Sequence, residues 1–453
     1  MFSLIQLNKH LRERLWVLMD SETNLPLFYP LQYLTDHLSH RSPSTQLASL
    51  QALKLFYEFW YQKYNVTFCF SFYSSSHNPL IIIDELRAFS YYLENPNSSL
   101  ISFPFASYPS KKNKNIKLHT IIRFTNYLIQ TYVSTRYMDS SPMELSRLAN
   151  QLSKKLLIYR DEFKQSKRPV DIHFKKFKSM TLDMVKNFYT IITPSSSSKM
   201  NTLNPFPIRQ IQLRNFLICR LLINYGLRVG ELLLLECNSI KPNLRGDKFS
   251  LIITSLDNET EDNRKRPPSL KNIYSHRVIE IDKFDYHLLT IYIKKIRPLT
   301  KHNFLFCSTK KDNSPLSYYS IYSIFKKIND VFIKNHPEYY SKECYDSIEK
   351  ITPHIARHTW AYLTLQRIYN DKINMDKKIK NRINFSMSEL MNDALNELRI
   401  LGGWSQSSNM PILYAKRFLS ENANKANLRR ISIDYKNINH DAGFLYDDWR
   451  DND

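Results

Sequence analysis

The amino-acid sequence predicts a mainly α-helical protein with a small antiparallel β-sheet, an α+β fold class, arranged in two domains. Apolar residues recur at helical spacing through most of the first 165 residues. Two strand-like segments, "KFSLIITSL" at 248–256 and "HRVIEID" at 276–282, then interrupt a second helical region. At 453 residues the chain is too long for one ordinary core, which favours two domains.

The N-terminal part predicts a bundle of four or five helices. The clearest helical periodicity runs through 45–64, 80–94, 116–133 and 141–163. The last of these opens like a capped helix, with Ser141, Pro142 and Glu144 at its start. Between the helices, the lysine-rich run "SYPSKKNKNIK" at 107–117 predicts a loop, either solvated or in contact with phosphate groups.

A basic stretch without apolar periodicity predicts the connection between the domains. It contains "KRPVDIHFKKFK", with a proline and several lysines. Such a connector can lie along a DNA backbone, although a solvated linker would have the same composition. The predicted division is a helical domain at 1–165, a linker at 166–178, a second domain at 179–435 and an acidic tail at 436–453.

The charge balance predicts a polyanionic partner. The chain has 64 Lys and Arg against 42 Asp and Glu, a formal net charge of +22. Nucleic acid is the first inference and an anionic membrane surface the second. No apolar run of about 18 residues and no signal-like N-terminus occur, so we expect a soluble, unexported protein. The five cysteines are widely scattered, which predicts free thiols and no structural zinc.

The segment "INYGLRVGELLLLE" is the first candidate site. Arg228 interrupts a helix that is otherwise apolar, and Glu231 follows three positions later, where the two can pair on one helix face. An ordinary surface pair has the same spacing. Glycine usage favours a built site, because four of only six glycines lie here and in a later motif, at positions that predict special backbone angles or close approach. These four are Gly226, Gly230, Gly402 and Gly403.

Two further segments carry candidate residues. In "TPHIARHTWAYLTLQ", Thr352 and Pro353 predict a helix start that places His354 and Arg357 on one face, as a phosphate receptor would need. His358 is interpreted as helix packing or a backbone hydrogen bond. In "LGGWSQSSNMPILYAKRF", a tryptophan and a tyrosine bracket a polar stretch; they are Trp404 and Tyr414.

Taken in order, the three segments resemble the tyrosine recombinase (phage integrase) family. Its pattern is an arginine in a GLRxGEL-like context, an HxxR motif, a histidine or tryptophan in an LGH- or GGW-like context, and a nucleophilic tyrosine soon after. The resemblance covers roughly 178–430. It implies an N-terminal core-binding (SAM-like) domain and a catalytic domain that together form a C-shaped clamp on DNA.

The resemblance implies a site-specific recombinase or integrase that needs no metal or other cofactor and works through a 3′-phosphotyrosine intermediate. Arg228 and Arg357 would clamp the scissile phosphate, and Tyr414 would attack it. His354 and Trp404 would donate hydrogen bonds or shape the pocket. Glu231 would hold Arg228 in place.

The family's general acid is a lysine on a β-hairpin. Lys271 in "PPSLKNIYSHRVIEID" is the best match, and Lys265 in "NRKRPP" is the competitor because the connection is longer than usual for the family. The gap from Trp404 to Tyr414 is one residue longer than the commonest family spacing, which leaves the path of that segment open.

The resemblance also implies partners and a setting. These are double-stranded DNA with inverted-repeat recombination sites, a homodimer on each site, a homotetramer in the synaptic complex, and a mobile genetic element in the bacterial cytoplasm. The tail "DAGFLYDDWRDND" would dock on a neighbouring subunit or be a disordered end. Two alternatives stay open: a type IB topoisomerase that relaxes DNA, and a catalytically silent DNA-binding relative.

Overall fold

Helices dominate the computed structural model, and its strands form two small antiparallel sheets. The predicted fold class is therefore confirmed. The structure describes residues 1–9, 13–94, 111–137, 140–165, 178–256, 262, 264, 266–309, 312–341, 343–378, 387–414 and 416–434. The chain divides into two compact units, Met1–His173 and Phe174–Asp453. The predicted linker except Lys178, the competitor Lys265 and the acidic tail lie outside the described residues, so the predicted domain boundaries stay predictions.

The first unit begins with a β-hairpin that the sequence analysis did not predict. Strands β1 (Phe2–Lys9) and β2 (Glu13–Asp20) pair antiparallel, with Phe2 opposite Asp20. Val17 and Leu18 are neighbours in β2, and each is only 1% exposed. Because both faces of the strand are covered at this point, the alternation of apolar and polar residues that marks a half-buried strand is lost.

The predicted helices of the first unit are confirmed. In chain order, the α-helices of this unit are α1 (Phe28–Tyr33), α2 (Pro43–Tyr64), α3 (Phe68–Ser74), α4 (Leu80–Glu94), α5 (Lys111–Arg136) and α6 (Pro142–Gln165). The predicted cap of α6 also forms, since the Ser141 amide donates to Glu144 Oε2 over 2.9 Å and the Glu144 amide donates to Ser141 Oγ over 3.4 Å. This reciprocal pair is a capping box.

The loop predicted at 107–117 is partly wrong. Residues 107–110 lie outside the described residues, but from Lys111 onward the run belongs to α5. Lys114 is buried to 7% exposure, and its ammonium group pairs with Glu94 at the end of α4. This tertiary ion pair gives the buried lysine an anionic partner from another helix, which the polarity of the run alone cannot predict.

The second unit has nine helices and a sheet among its described residues. The helices are α7 (Leu182–Ile192), α8 (Arg209–Asn224), α9 (Val229–Leu234), α10 (Lys283–Ile291), α11 (Tyr318–Asn335), α12 (Pro353–Lys378), α13 (Met387–Leu401), α14 (Met410–Tyr414) and α15 (Lys416–Asp434). The sheet has the order β3 (Ile240–Pro242), β4 (Phe249–Ile253) and β5 (Arg277–Ile281). Both strands predicted from the sequence are therefore confirmed, and they pair antiparallel.

Helix α12 joins two apolar cores of the second unit. Its first turn contributes Ile355 and Ala356 to a large core built on α7, α8, α11 and the sheet. Its later turns contribute Trp360 and Leu365 to a smaller core shared with α13 and α14. Arg357 thus lies where the two cores meet.

Two expectations about the whole chain can be compared with the structure. All five cysteines are described and none forms a disulfide, which confirms the predicted free thiols. Among the described residues, no helix combines the length and the apolar character needed to cross a membrane.

Helix α3 offers a matched test of the first unit's core. Phe72 is fully buried there, whereas Phe70 is 61% exposed. We expect Phe72→Ala to lower the free energy of unfolding of this unit by about 3–5 kcal/mol, because it removes a buried ring and leaves a cavity. Phe70→Ala should change it by less than about 0.5 kcal/mol. Equal denaturant midpoints for the two variants would contradict the packing described here.

Candidate active site

A break between α8 and α9 positions Arg228. Gly226 has φ +61°, in the left-handed region, and a Cβ there would collide with the indole of Trp360. Helix α8 therefore ends at Asn224, and Arg228 is the N-cap of α9. The expectation that Arg228 lies inside one continuous helix is wrong, because the backbone turns at the glycine just before it.

The predicted pairing of Arg228 with Glu231 forms across this helix start. The Arg228 amide donates to Glu231 Oε2 over 2.9 Å, and the guanidinium group pairs with Glu231 Oε1. Gly230 lies between them, and a Cβ there would be 3.1 Å from the carbonyl oxygen of Ser269. The absence of a side chain at Gly230 thus lets the segment that leads to Lys271 pass close to the start of α9.

Glu231 is the central anion of the site. It is 1% exposed, and besides Arg228 it pairs with Arg277, whose Nη2 lies 2.9 Å from Oε2, and with Arg357, whose Nη1 lies 3.9 Å from Oε2. Burial acts to raise the pKa of Glu231, but the three guanidinium groups outweigh it and the pKa is lowered. Glu231 is therefore anionic at neutral pH.

Arg357 is the most enclosed cation of the site. Helix α12 starts as predicted, since the Ile355 amide donates to Thr352 Oγ1 over 3.2 Å. Arg357 is 3% exposed, and burial together with the neighbouring Arg228 lowers its pKa to about 9, so it stays cationic at neutral pH. Its Nε is buried and has no hydrogen-bond acceptor among the described residues.

Two consecutive carbonyl groups orient the two arginines. Arg357 Nη2 donates to the Gly402 carbonyl over 2.6 Å, and Arg228 Nη2 donates to the Gly403 carbonyl over 3.0 Å. Both guanidinium groups lie over the indole of Trp404, with Cζ 4.5 Å from the ring centroid for Arg357 and 5.9 Å for Arg228. The two cations therefore converge at one place.

Tyr414, the last residue of α14, lies in the same cluster. It is 7% exposed, and its ring centroid is 5.3 Å from that of Trp404 and 5.6 Å from that of His354. The Arg357 Cζ is 5.8 Å from the centre of the Tyr414 ring. The structure thus brings together five of the six predicted catalytic side chains: Arg228, His354, Arg357, Trp404 and Tyr414.

Lys271 is not part of this cluster in the structure. It is exposed in the segment before β5, and its ammonium group has no hydrogen bond or ion pair with a described residue. Ser275, four residues later, does reach the cluster, because its hydroxyl accepts a hydrogen bond from Arg228 Nη1 over 3.2 Å. The segment that carries Lys271 is therefore tied to the cluster by Ser275.

The sequence analysis missed the role of Arg277. This residue donates from Nε to the Leu401 carbonyl and from Nη1 to the Ser275 carbonyl, each over 2.9 Å, besides its ion pair with Glu231. An arginine at the start of an apolar strand was the available signal, but its partners are remote in sequence. His358 was interpreted as a residue for helix packing or a backbone hydrogen bond, and its ring stacks on the ring of Tyr414.

The ion cluster generates a prediction about stability and pH. We expect Glu231→Gln to cost about 3–5 kcal/mol of folding free energy at neutral pH, because one buried and two partly buried guanidinium groups lose their anion. The folded-state pKa of Glu231 lies below the unfolded value of 4.5, so its stabilisation is complete above that pH and is lost as the pH falls through the folded-state pKa. The difference between wild type and variant should therefore shrink on acidification, as measured by denaturant unfolding.

Glu280→Gln is the matched control on β5. Glu280 pairs with Lys248 across 3.6 Å, and both side chains are more than half exposed. A surface pair of this kind contributes about 0–1 kcal/mol. A loss in Glu231→Gln no larger than that of the control, or one that does not depend on pH, would contradict the electrostatic role of Glu231.

Part of the chain matches a known protein family. Residues 196–376 match the model of the phage integrase family. The matched segment contains Arg228, Lys271, His354 and Arg357 and ends before Trp404 and Tyr414. No curated protein sequence matches the chain significantly.

Several solved structures match the chain at low identity and with TM-scores below 0.5. The Tn1549 transposon integrase (residues 82–397) in complex with circular intermediate DNA is 14% identical, with coverage of 87% of this chain and 98% of that chain and a TM-score of 0.49. The XerH site-specific recombinase bound to difH substrate, in a pre-cleavage complex, is 16% identical, with coverage of 76% and 78% and a TM-score of 0.31. The XerA recombinase is 16% identical, with coverage of 70% and 97% and a TM-score of 0.27.

The resemblance seen in the sequence motifs is confirmed by the family match. Residues 196–376 of this chain form a phage integrase, or tyrosine recombinase, family domain.

Proposed function

We propose that this protein is a site-specific DNA recombinase or integrase that cleaves and rejoins DNA strands by transesterification through a 3′-phosphotyrosine intermediate. The observation that carries the proposal is the convergence of the Arg228 and Arg357 guanidinium groups over Trp404, next to the ring of Tyr414. Two cations beside a phenol are what this chemistry requires at one phosphodiester.

The two arginines would bind the scissile phosphate. Negative charge grows on the non-bridging oxygens in the transition state, and preorganised guanidinium groups in a site with little water stabilise that charge strongly. Arg357 donates from Nη1 to the Gly226 carbonyl and from Nη2 to the Gly402 carbonyl, and these two hydrogen bonds fix the plane of its guanidinium group. Its buried Nε is a further donor for a bound phosphate oxygen.

Tyr414 would be the nucleophile. Attack of its phenol oxygen on phosphorus forms a bond to the 3′ end of the broken strand and releases the 5′ oxygen. The phenol loses one proton and the 5′ oxygen gains one, so the step consumes no net proton. Because the new ester retains the energy of the old one, a 5′ hydroxyl can attack it in the reverse sense and rejoin the strand.

Three further residues would complete the reaction. His354 is exposed at the start of α12, where it can donate a hydrogen bond to the phosphate, and Trp404 supports both guanidinium groups. Lys271 would protonate the leaving 5′ oxygen. It lies on the segment that Ser275 ties to Arg228, and a bound DNA strand would bring the phosphate to it.

The partner would be double-stranded DNA. The net charge of +22 favours binding to the phosphate backbone. Inverted-repeat sites, a dimer on each site and a tetramer in the synaptic complex belong to this proposal, as does an origin in a mobile genetic element. A protein that acts on such DNA would work in the cytoplasm of a bacterial host.

The nucleophile assignment predicts a covalent adduct that depends on one hydroxyl group. Wild-type protein incubated with a nicked suicide duplex should form an adduct that survives denaturation, and Tyr414→Phe should form none while it still binds DNA. The duplex would carry the inverted repeats that flank the protein's own gene. Tyr369→Phe, at a buried tyrosine of the same small core, should keep adduct formation. An adduct in Tyr414→Phe would show that another residue attacks.

The general acid is predicted to be Lys271. Lys271→Ala should cleave ordinary DNA about 10²–10⁴-fold more slowly, because proton transfer to the leaving oxygen is lost. A duplex whose scissile 5′ oxygen is replaced by sulfur should restore most of the rate, since a thiolate leaves without protonation. If Lys265→Ala shows this pattern instead of Lys271→Ala, Lys265 is the acid.

A further inference from the structure

His358 belongs to the helix of the HxxR motif and contacts the proposed nucleophile, and the mechanism above does not use it. It is 4% exposed, although it directly follows Arg357 near the start of α12. Its ring stacks on the ring of Tyr414, with centroids 4.0 Å apart and planes 26° apart. Its Nε2 lies 3.1 Å from Nε2 of His354. One imidazole therefore contacts two residues to which the reaction assigns roles.

Burial keeps the His358 ring neutral, and its neighbours determine which ring nitrogen carries the proton. Burial, and then the neighbouring His354 and Lys178, lower the pKa of His358 to about 3, so the ring is neutral at physiological pH. The Tyr414 backbone acts in the opposite direction and raises the pKa, as a carbonyl that faces the ring as an acceptor does. A neutral imidazole has one N–H group, which we assign to the nitrogen that faces the Tyr414 carbonyl.

The other ring nitrogen of His358 must then accept a hydrogen bond. Its neighbour is Nε2 of His354, which lies within hydrogen-bond distance and therefore carries the proton. The result is an ordered chain in which His354 donates to His358 and His358 donates to the Tyr414 backbone. This chain orients the His354 ring and the backbone of Tyr414 at the same time, and His354 can also donate to a phosphate from Nδ1 when both of its ring nitrogens carry a proton.

We propose that His358 is a positioning residue for strand cleavage, which holds the Tyr414 phenol and the His354 imidazole in fixed positions relative to one another. This inference rests on the proposed function. The stacked ring restricts the direction in which the phenol can point, and the two hydrogen bonds restrict the nucleophile's backbone and the orientation of His354. Displacement of a reacting group by about 1 Å can cost on the order of 10²-fold in rate.

A packing role alone makes a different prediction from a positioning role. Phenylalanine has nearly the same ring size, so it would satisfy a residue needed only to fill space and stack on Tyr414. It cannot form either hydrogen bond. Asparagine places an amide near the Nδ1 position and can still donate to a carbonyl, whereas glutamine places one near the Nε2 position that faces His354.

The experiment compares these three variants of the full-length protein. We would measure the single-turnover rate of covalent adduct formation on the nicked duplex described above, the Kd for the same duplex and the midpoint of thermal unfolding. His358→Phe is expected to slow adduct formation on the order of 10²-fold, with Kd and the unfolding midpoint close to wild type. His358→Asn or His358→Gln is expected to recover the rate to within about tenfold of wild type.

His336→Phe is the matched control. His336 also stacks on aromatic rings in this unit, with centroids 5.2 Å from Phe332 and 5.5 Å from Tyr339, but outside the proposed site. This variant should cleave at the wild-type rate.

Three results would overturn the inference. Cleavage by His358→Phe at the wild-type rate would show that stacking is sufficient, with the proposed function intact. A joint loss of cleavage, binding and stability in all three variants would show that His358 is needed for folding of this unit and not specifically for the geometry of cleavage. If the wild-type protein forms no adduct while it binds the duplex, the proposed function fails, and the role of His358 fails with it.

Discussion

A single buried carboxylate allows the rest of the site to exist. Glu231 faces Arg228, Arg277 and Arg357, and without it three guanidinium groups would repel one another in a region of low dielectric constant. With it, three cations and one anion leave two net positive charges. That excess suits a phosphodiester, which carries one negative charge and develops more of it during transesterification.

Backbone carbonyl groups decide where that positive charge points. Gly402 and Gly403 are adjacent, and their carbonyl groups hold Arg357 and Arg228 respectively. Gly403 has φ +59°, so the turn that presents the two carbonyl groups needs a residue without a side chain. A charged site built in this way is rigid because main-chain carbonyl groups hold its guanidinium groups, and main chain cannot rotate away as a side chain can.

The position of the cluster between two cores couples folding to chemistry. Helix α12 contributes apolar residues to both cores, and Arg357 and His358 lie at the boundary. Tyr414 packs into the smaller core, with Trp404 on one side and His358 on another. The proposed nucleophile is therefore held by packing before DNA binds, and the cost of ordering it is met during folding.

The sequence by itself determined the elements whose signals are local. Periodicity gave the long helices, Ser141 and Glu144 marked the start of α6, and apolar runs gave β4 and β5. The order of the motifs predicted which side chains belong to one site, because four motifs in that order resemble the tyrosine recombinase family. Glycine scarcity also indicated the special positions at Gly226 and Gly403.

Only the tertiary structure decided the features that depend on partners distant in the chain. Lys114 is accommodated in a buried position of α5 because its ammonium group pairs with Glu94. Arg277 belongs to the site because it pairs with Glu231 and donates to the Leu401 carbonyl. The hairpin β1–β2 was not predicted, because burial on both faces removed the alternation of apolar and polar residues. The end of α8 was not predicted, because it depends on Trp360, which fills the space beside Gly226. Each of these is an interaction between segments, and a sequence records the residues of such a pair without recording that they meet.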